Sequence, residues 1–332
     1  MEKAMSRRAA CAVALGVFLL LGVGLSAADR STGKSTGRRP PRRKKPGPPD
    51  KGKKGKPGER VEGAPNVYEL MKLYEARQYN SIYGKLPYRL LKPYAYVSSR
   101  KYPLVVCLHG VPGRGKDNAL QLGCTYPVAV LARPETRRKY PTFVMAPQSP
   151  TWWGDQPYGT KKAAGGGTSG KKSPQMMSML LDGIEAIQGV FSIDPNRIYV
   201  TGHSMGGFGA FNALASDPNM FAGAVVVAGG GDPNAAMDFA HVPVWVFCGQ
   251  KSSILHHSQN MILALKKYGG KPSFTVFKEL GHRCWRQAYE SQALWDWLFA
   301  QRRVWPRPIL TTQPATQPTS QPSTRPVVLK RE

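Results

Sequence analysis

The chain has 332 residues, 41% of them hydrophobic, with 47 Lys and Arg against 20 Asp and Glu and a formal net charge of +27. So basic a balance favours anionic partners. Yet no recognition motif or interleaving of aromatic with basic residues supports specific nucleic-acid binding, and no Cys or His pair has metal-ligand spacing.

Residues 1–8 carry Lys3, Arg7 and Arg8, residues 11–25 are an unbroken run of apolar and small side chains, and Ser26, Ala27 and Ala28 follow. That is the order of a secretory signal peptide over residues 1–28. The run is short for a membrane span, so cleavage is expected rather than a retained anchor, and with it export to the periplasm, the cell surface or the medium. Residues 29–64 are rich in Lys, Arg, Pro and Gly and nearly free of apolar residues before Val61. Such a segment offers too little apolar surface to offset its chain entropy, so a disordered linker is expected there. It is either a solvated tether or a contact with an anionic surface. Residues 307–332 read as a disordered tail of Thr, Gln and Pro, which leaves 65–306 as one domain with a sizeable core.

Within that domain, helical spacing of Val67, Leu70, Met71 and Leu73 predicts a helix over 67–76. Strands are expected at 86–91, 102–109 and 142–146, the last closed by Pro147. Ser173-Pro174 opens an amphipathic helix over 176–190. Strands follow at 197–201, 222–228, 242–248 and 273–277, with a helix over 258–268 closed by Gly269-Gly270 and a last helix over 284–300. Strands apolar throughout and alternating with helices predict a mostly parallel sheet covered on both faces, an α/β fold. In such sheets the chemistry gathers at the carboxyl ends of the strands.

One of those ends carries Gly202-His203-Ser204-Met205-Gly206. An apolar strand precedes it and a helix-forming run, Gly207-Phe208-Gly209-Ala210-Phe211, follows. Gly-x-Ser-x-Gly between strand and helix is a nucleophile elbow, which lifts the Ser204 hydroxyl clear of its neighbours. A serine hydroxyl is a weak nucleophile and needs a base. His282 lies at a carboxyl end of the sheet, after the strand over 273–277. His241 and the pair His256-His257 are weaker choices, and His203 is expected to shape the pocket. The backbone N–H of Met205, just after the nucleophile, is placed to stabilise a developing oxyanion. Trp152 and Trp153 are expected to overhang the site, as a pocket wall or a stacking surface. The glycine-rich stretch 154–172 beside them is either a lid or an insertion.

From about residue 75 to 303 the chain resembles the secreted esterase and peptidase branch of the α/β-hydrolases, related to dienelactone hydrolase, polyhydroxybutyrate depolymerase and prolyl oligopeptidase catalytic domains. The resemblance rests on Leu86-Pro87-Tyr88-Arg89-Leu90-Leu91-Lys92-Pro93, Leu108-His109-Gly110, Ala146-Pro147-Gln148, Asp194-Pro195-Asn196-Arg197-Ile198-Tyr199, residues 202–207 and 229–233, and Gly281-His282 with Cys284-Trp285. It implies an α/β-hydrolase fold, no cofactor, His282 as base and the N–H of Val111 as the second oxyanion donor. It also implies a catalytic Asp in a Gly-x-x-Asp pattern after the strand ending at Cys248. This chain instead reads Gly249-Gln250-Lys251-Ser252-Ser253, with Ser252 where the Asp would align and no carboxylate from 248 to 263. Three accounts remain. Asp232 supplies the acid from a neighbouring turn; Ser204 and His282 act as a dyad with Ser252 or a backbone carbonyl orienting the ring; or the site is degenerate. Such a fold also brings Cys248 and Cys284 close, as a disulfide or as two free thiols.

The expected activity is cleavage of carboxylic esters through an acyl-enzyme on Ser204, with acylated polysaccharide as a candidate substrate. The alternative is a degenerate hydrolase acting as a cell-surface or polysaccharide binding protein. A prolyl-oligopeptidase-like peptidase is the third reading.

Overall fold

A computed structural model of the chain describes residues 66–154 and 175–303. The expected leader, linker and tail, and all but the first residue of the 154–172 loop, lie outside the described residues.

Eight strands form one sheet: β1 (Glu75–Ser81), β2 (Gly84–Leu91), β3 (Tyr102–Leu108), β4 (Phe143–Pro147), β5 (Ile193–His203), β6 (Gly223–Val227), β7 (Val244–Gly249) and β8 (Ser273–Phe277). Their order is β1-β2-β4-β3-β5-β6-β7-β8. The first two pairings, β1 with β2 and β2 with β4, are antiparallel, and the rest are parallel. The central strands are apolar end to end because both of their faces are covered: every residue of β3, β4 and β6 is buried.

Side chains alternate between two cores. Leu104, Val106, Val200, Val226 and Val246 face the helices Met176–Val190, Met205–Ser216 and Leu255–Lys267. Val105, Cys107, Tyr199, Val225 and Phe247 face Val67–Leu73, Tyr126–Leu131, Trp285–Tyr289 and Gln292–Ala300. This three-layer arrangement is the α/β-hydrolase fold, and it aligns the carboxyl ends of β3, β5, β7 and β8 along one edge.

The structure departs from the expected elements in three places. The first helix stops at Leu73, and Tyr74 leads into β1, whose residues alternate between half-buried and exposed at the edge of the sheet. Short helices at Leu120–Cys124, Tyr126–Leu131 and Pro134–Lys139 fill the stretch between β3 and β4. The last helix is broken after Tyr289, whose carbonyl accepts the indole N–H of Trp295 at 2.8 Å in place of a helical donor.

All four cysteines of the described region are free, so no disulfide joins Cys248 and Cys284. Both are buried, and burial pushes the Cys284 thiol up to about 12. That suppresses the thiolate needed for exchange.

Candidate active site

Ser204 stands between β5 and the helix Met205–Ser216 with φ 53 and ψ −122. A non-glycine residue held at positive φ is strained, and the surroundings must enforce it. Its N–H is held by the Val227 carbonyl at 2.9 Å. A Cβ on Gly202 would lie 2.3 Å from the Gly206 carbonyl oxygen, and one on Gly206 would lie 2.0 Å from that of Leu108. The two glycines of the motif are therefore required by closeness of backbone to backbone.

His282 sits in the loop after β8, with Nε2 2.9 Å from Ser204 Oγ. That loop is tied to the turn after β7 by Gln250 N–H to Phe277 O and Lys251 N–H to Leu280 O, both 2.9 Å. The approach depends on Gly249, where a Cβ would lie 2.2 Å from Gly281 O. On the far side of the ring, Nδ1 lies 3.4 Å from Oγ of Ser252, which is buried. For Nε2 to take the Ser204 proton, Nδ1 must carry the ring proton, and Ser252 Oγ is then its acceptor. Burial lowers the pKa of His282 below the ordinary imidazole value.

Asp232 does not reach this ring, which corrects its assignment as a candidate acid. It is exposed, and its Oδ1 accepts the Asn234 N–H at 3.0 Å, capping the turn Pro233–Ala235. An Asp before Pro satisfies a local backbone donor more readily than it crosses to another strand. Glu279, three residues before His282, is exposed and pairs with Lys251 Nζ at 2.7 Å. Among the described residues no carboxylate hydrogen-bonds to His282.

The backbone donors come from two strand ends. Met205 and Val111 are each the first residue of a helical turn, Met205–Ser216 and Val111–Gly113, so neither N–H has an acceptor within its turn. The Val111 loop is braced from beneath. His109 bonds to Gly110 O through Nδ1 at 2.8 Å, and its Nε2 accepts the Ser149 N–H at 2.9 Å. Burial drives its pKa down to about 4, so the ring is neutral. Gln148, fully buried, donates to Gly113 O at 3.2 Å and to Asp117 Oδ1 at 2.8 Å while accepting the Asn118 N–H. In the sequence this role of Gln148, within Ala146-Pro147-Gln148, is signalled only by a polar residue directly after an apolar strand.

Of the expected pocket residues, Trp153 is displaced from that role. It is 1% exposed, donates its indole N–H to His109 O at 3.0 Å and lies against Gly209, where a Cβ would meet Trp153 Cβ at 2.5 Å. It is a strut under the loop that carries Val111. Trp152 is half-buried against the core. His203 is 4% exposed, with its ring 4.8 Å from Trp285 and its Nε2 3.0 Å from where a Gly110 Cβ would be. Its Nδ1 has no hydrogen-bond partner, and burial lowers its pKa to about 3. Trp285 is half-buried and stands 6.1 Å from the His282 ring, so it walls the site from the helix Trp285–Tyr289.

An α/β-hydrolase sheet with a serine on a strained elbow and a histidine on its hydroxyl defines the class. Residues 80–306 match the model of the Esterase family, “Putative esterase”, and the chain belongs to that family. No curated protein matches the chain. A solved thermostable esterase is similar at 31% identity and TM-score 0.64 over 71% of this chain, which spans 64% of that protein's length. A ferulic acid esterase has 17% identity and TM-score 0.51, covering 68% of this chain and 97% of its own. An acylaminoacyl peptidase of Pyrococcus horikoshii has 16% identity and TM-score 0.51, covering 71% and 43%. The last two likenesses bear on the fold alone.

Proposed function

We propose that the protein is an exported serine hydrolase that cleaves carboxylic esters. The observation that carries this reading is the 2.9 Å contact between Ser204 Oγ and His282 Nε2, on a serine held at positive φ. In the first half-reaction Ser204 Oγ attacks the ester carbonyl and its proton passes to Nε2. The Met205 and Val111 N–H groups stabilise the oxyanion. His282 then returns the proton to the departing alcohol, leaving an acyl group on Ser204. In the second half-reaction His282 takes a proton from water, hydroxide attacks the acyl-enzyme, and Ser204 leaves protonated. Acyl groups on a polysaccharide are the substrate class we assign, because the expected leader and the basic segment 29–64 suit a protein held at an anionic surface.

A second reading, a binding protein that keeps the pocket without turnover, is favoured by one observation: no described carboxylate supports His282. Hydrolysis of p-nitrophenyl butyrate separates the two, with Ser204→Ala as the blank. The hydrolase reading expects a rate that depends on Ser204 and falls by a factor of roughly 10³ or more in the blank. A wild-type rate equal to the blank selects the binding protein.

A further inference from the structure

We propose that Ser252 is the third member of the site, a neutral hydroxyl accepting the His282 Nδ1–H where a carboxylate would otherwise stand, and that for want of that negative charge the base works at lower pH. This rests on the assignment of Ser204 and His282 given above.

The turn after β7 aims the Ser252 side chain. Its N–H bonds to Gly249 O at 3.1 Å and its carbonyl accepts the Leu255 N–H at 3.1 Å. Its Oγ takes the Ile254 N–H at 3.5 Å and faces His282 Nδ1 at 3.4 Å. A hydroxyl oxygen has two lone pairs, so both contacts can be met at once. The buried Cys248 thiol, raised by desolvation, is lowered in part by the Ser258 and Ser252 hydroxyls beside it. At 3.4 Å the contact with Nδ1 is long for N–H to O, as catalytic hydrogen bonds often are before substrate binds.

Ser204 meets Nε2 from the elbow, and His203, at the end of β5, is a neutral ring lowered by its own burial and, further, by His109 and His282. Arg283 is next in the chain, with its guanidinium 5.9 Å from the Trp285 ring. Cys284 and Cys248 are buried thiols, and Lys251 is neutralised by Glu279. None of these supplies negative charge to Nδ1. A hydroxyl dipole stabilises the imidazolium far less than a carboxylate does, so turnover is slowed. The same absence keeps the ring unprotonated, and therefore basic, further into the acid range.

Two measurements test this. The first is the pH dependence of kcat/KM for p-nitrophenyl butyrate in the wild type, Ser252→Ala and Ser252→Asp. A carboxylate at position 252 is longer than serine and spans the gap to Nδ1. We expect Ser252→Asp to raise kcat by about tenfold or more and to move the acid limb to higher pH. Ser252→Ala lowers kcat several-fold with KM little changed. The second is a nitrogen-15 NMR titration of His282, which needs no turnover. It should show the Nδ1–H tautomer with a pKa below the ordinary imidazole value in the wild type and a higher one in Ser252→Asp. A wild-type pKa and acid limb at or above the ordinary value would mean that a carboxylate holds the ring, and would overturn the proposal. So would a folded Ser252→Asp that changes neither. If no rate depends on Ser204, the hydrolase reading fails and the titration still decides the role of Ser252. If Ser252→Asp does not fold, the wild-type titration decides alone.

Discussion

A methyl group on Gly206 has nowhere to go, because the Leu108 carbonyl is 2.0 Å from its place. The contact is backbone against backbone, so relief requires β3 and the elbow to part. Gly206→Ala is therefore expected to lose several kcal/mol of stability or fail to fold, read by thermal denaturation. Asp232 sits at the other extreme. Its carboxylate caps a local turn, so Asp232→Asn should keep the wild-type kcat within about twofold, while Asp232→Ala costs about 1 kcal/mol in a urea titration. A large loss of kcat in Asp232→Asn would restore it as the acid. The serine was legible because its motif needs glycines wherever the backbone crowds. Asp232 misled because Gly-rich turns ending in Asp-Pro look alike whether the carboxylate reaches a neighbour or only its own backbone.

The loop that carries Val111, the proposed second oxyanion donor, depends on elements that touch no substrate. Val111 N–H is aimed by a turn held from below by Gln148 and by His109, itself bonded to Trp153 and to Ser149. Gln148→Leu removes the bonds to Gly113, Asp117 and Asn118 together. Misplacing one donor costs roughly 10² in rate, so kcat is expected to fall by about that factor with KM little changed. A purely structural Gln148 would instead lower the fraction folded and leave kcat per folded molecule intact. The His109 brace was legible from its place at the end of β3, and for Gln148 the sequence offered only a polar residue directly after an apolar strand. Trp152 and Trp153 are adjacent and chemically alike, and only the approach of the helix Met205–Ser216 at Gly209 decides that the second is a strut. Edge strand β1 escaped for a related reason: its solvent-facing side leaves Glu75-Ala76-Arg77-Gln78 without an apolar pattern. The central strands and the helix Met176–Val190 were readable because burial on both faces, or on one helical stripe, is written directly in residue type.

At the scale of the whole molecule the buried imidazoles couple folding to pH. His109 and His203 have folded-state pKa values lowered by burial to about 4 and about 3, and that of His282 is lowered as well. Unfolded, each returns to about 6.5 and binds a proton that the native state refuses. Between those values the unfolded chain holds more protons, so stability rises with pH. The contribution is complete above about pH 6.5 and is lost as pH falls towards 4 and then 3. The urea midpoint should therefore drop steeply between about pH 6.5 and 4. His203→Phe, which removes one such group and its unpartnered Nδ1, should flatten that drop. An equal slope in the variant would place the acid sensitivity elsewhere.

The central claim is a covalent acyl group on Ser204, and it is tested most directly by trapping that group. The protein is mixed with p-nitrophenyl butyrate, quenched in acid within the first turnovers, digested and mapped by mass spectrometry. The account predicts a butyryl group on the peptide containing Ser204 in the wild type and none in Ser204→Ala. An unmodified Ser204 peptide while p-nitrophenol is released, or a butyryl group that persists on another residue in Ser204→Ala at the wild-type rate, would contradict it.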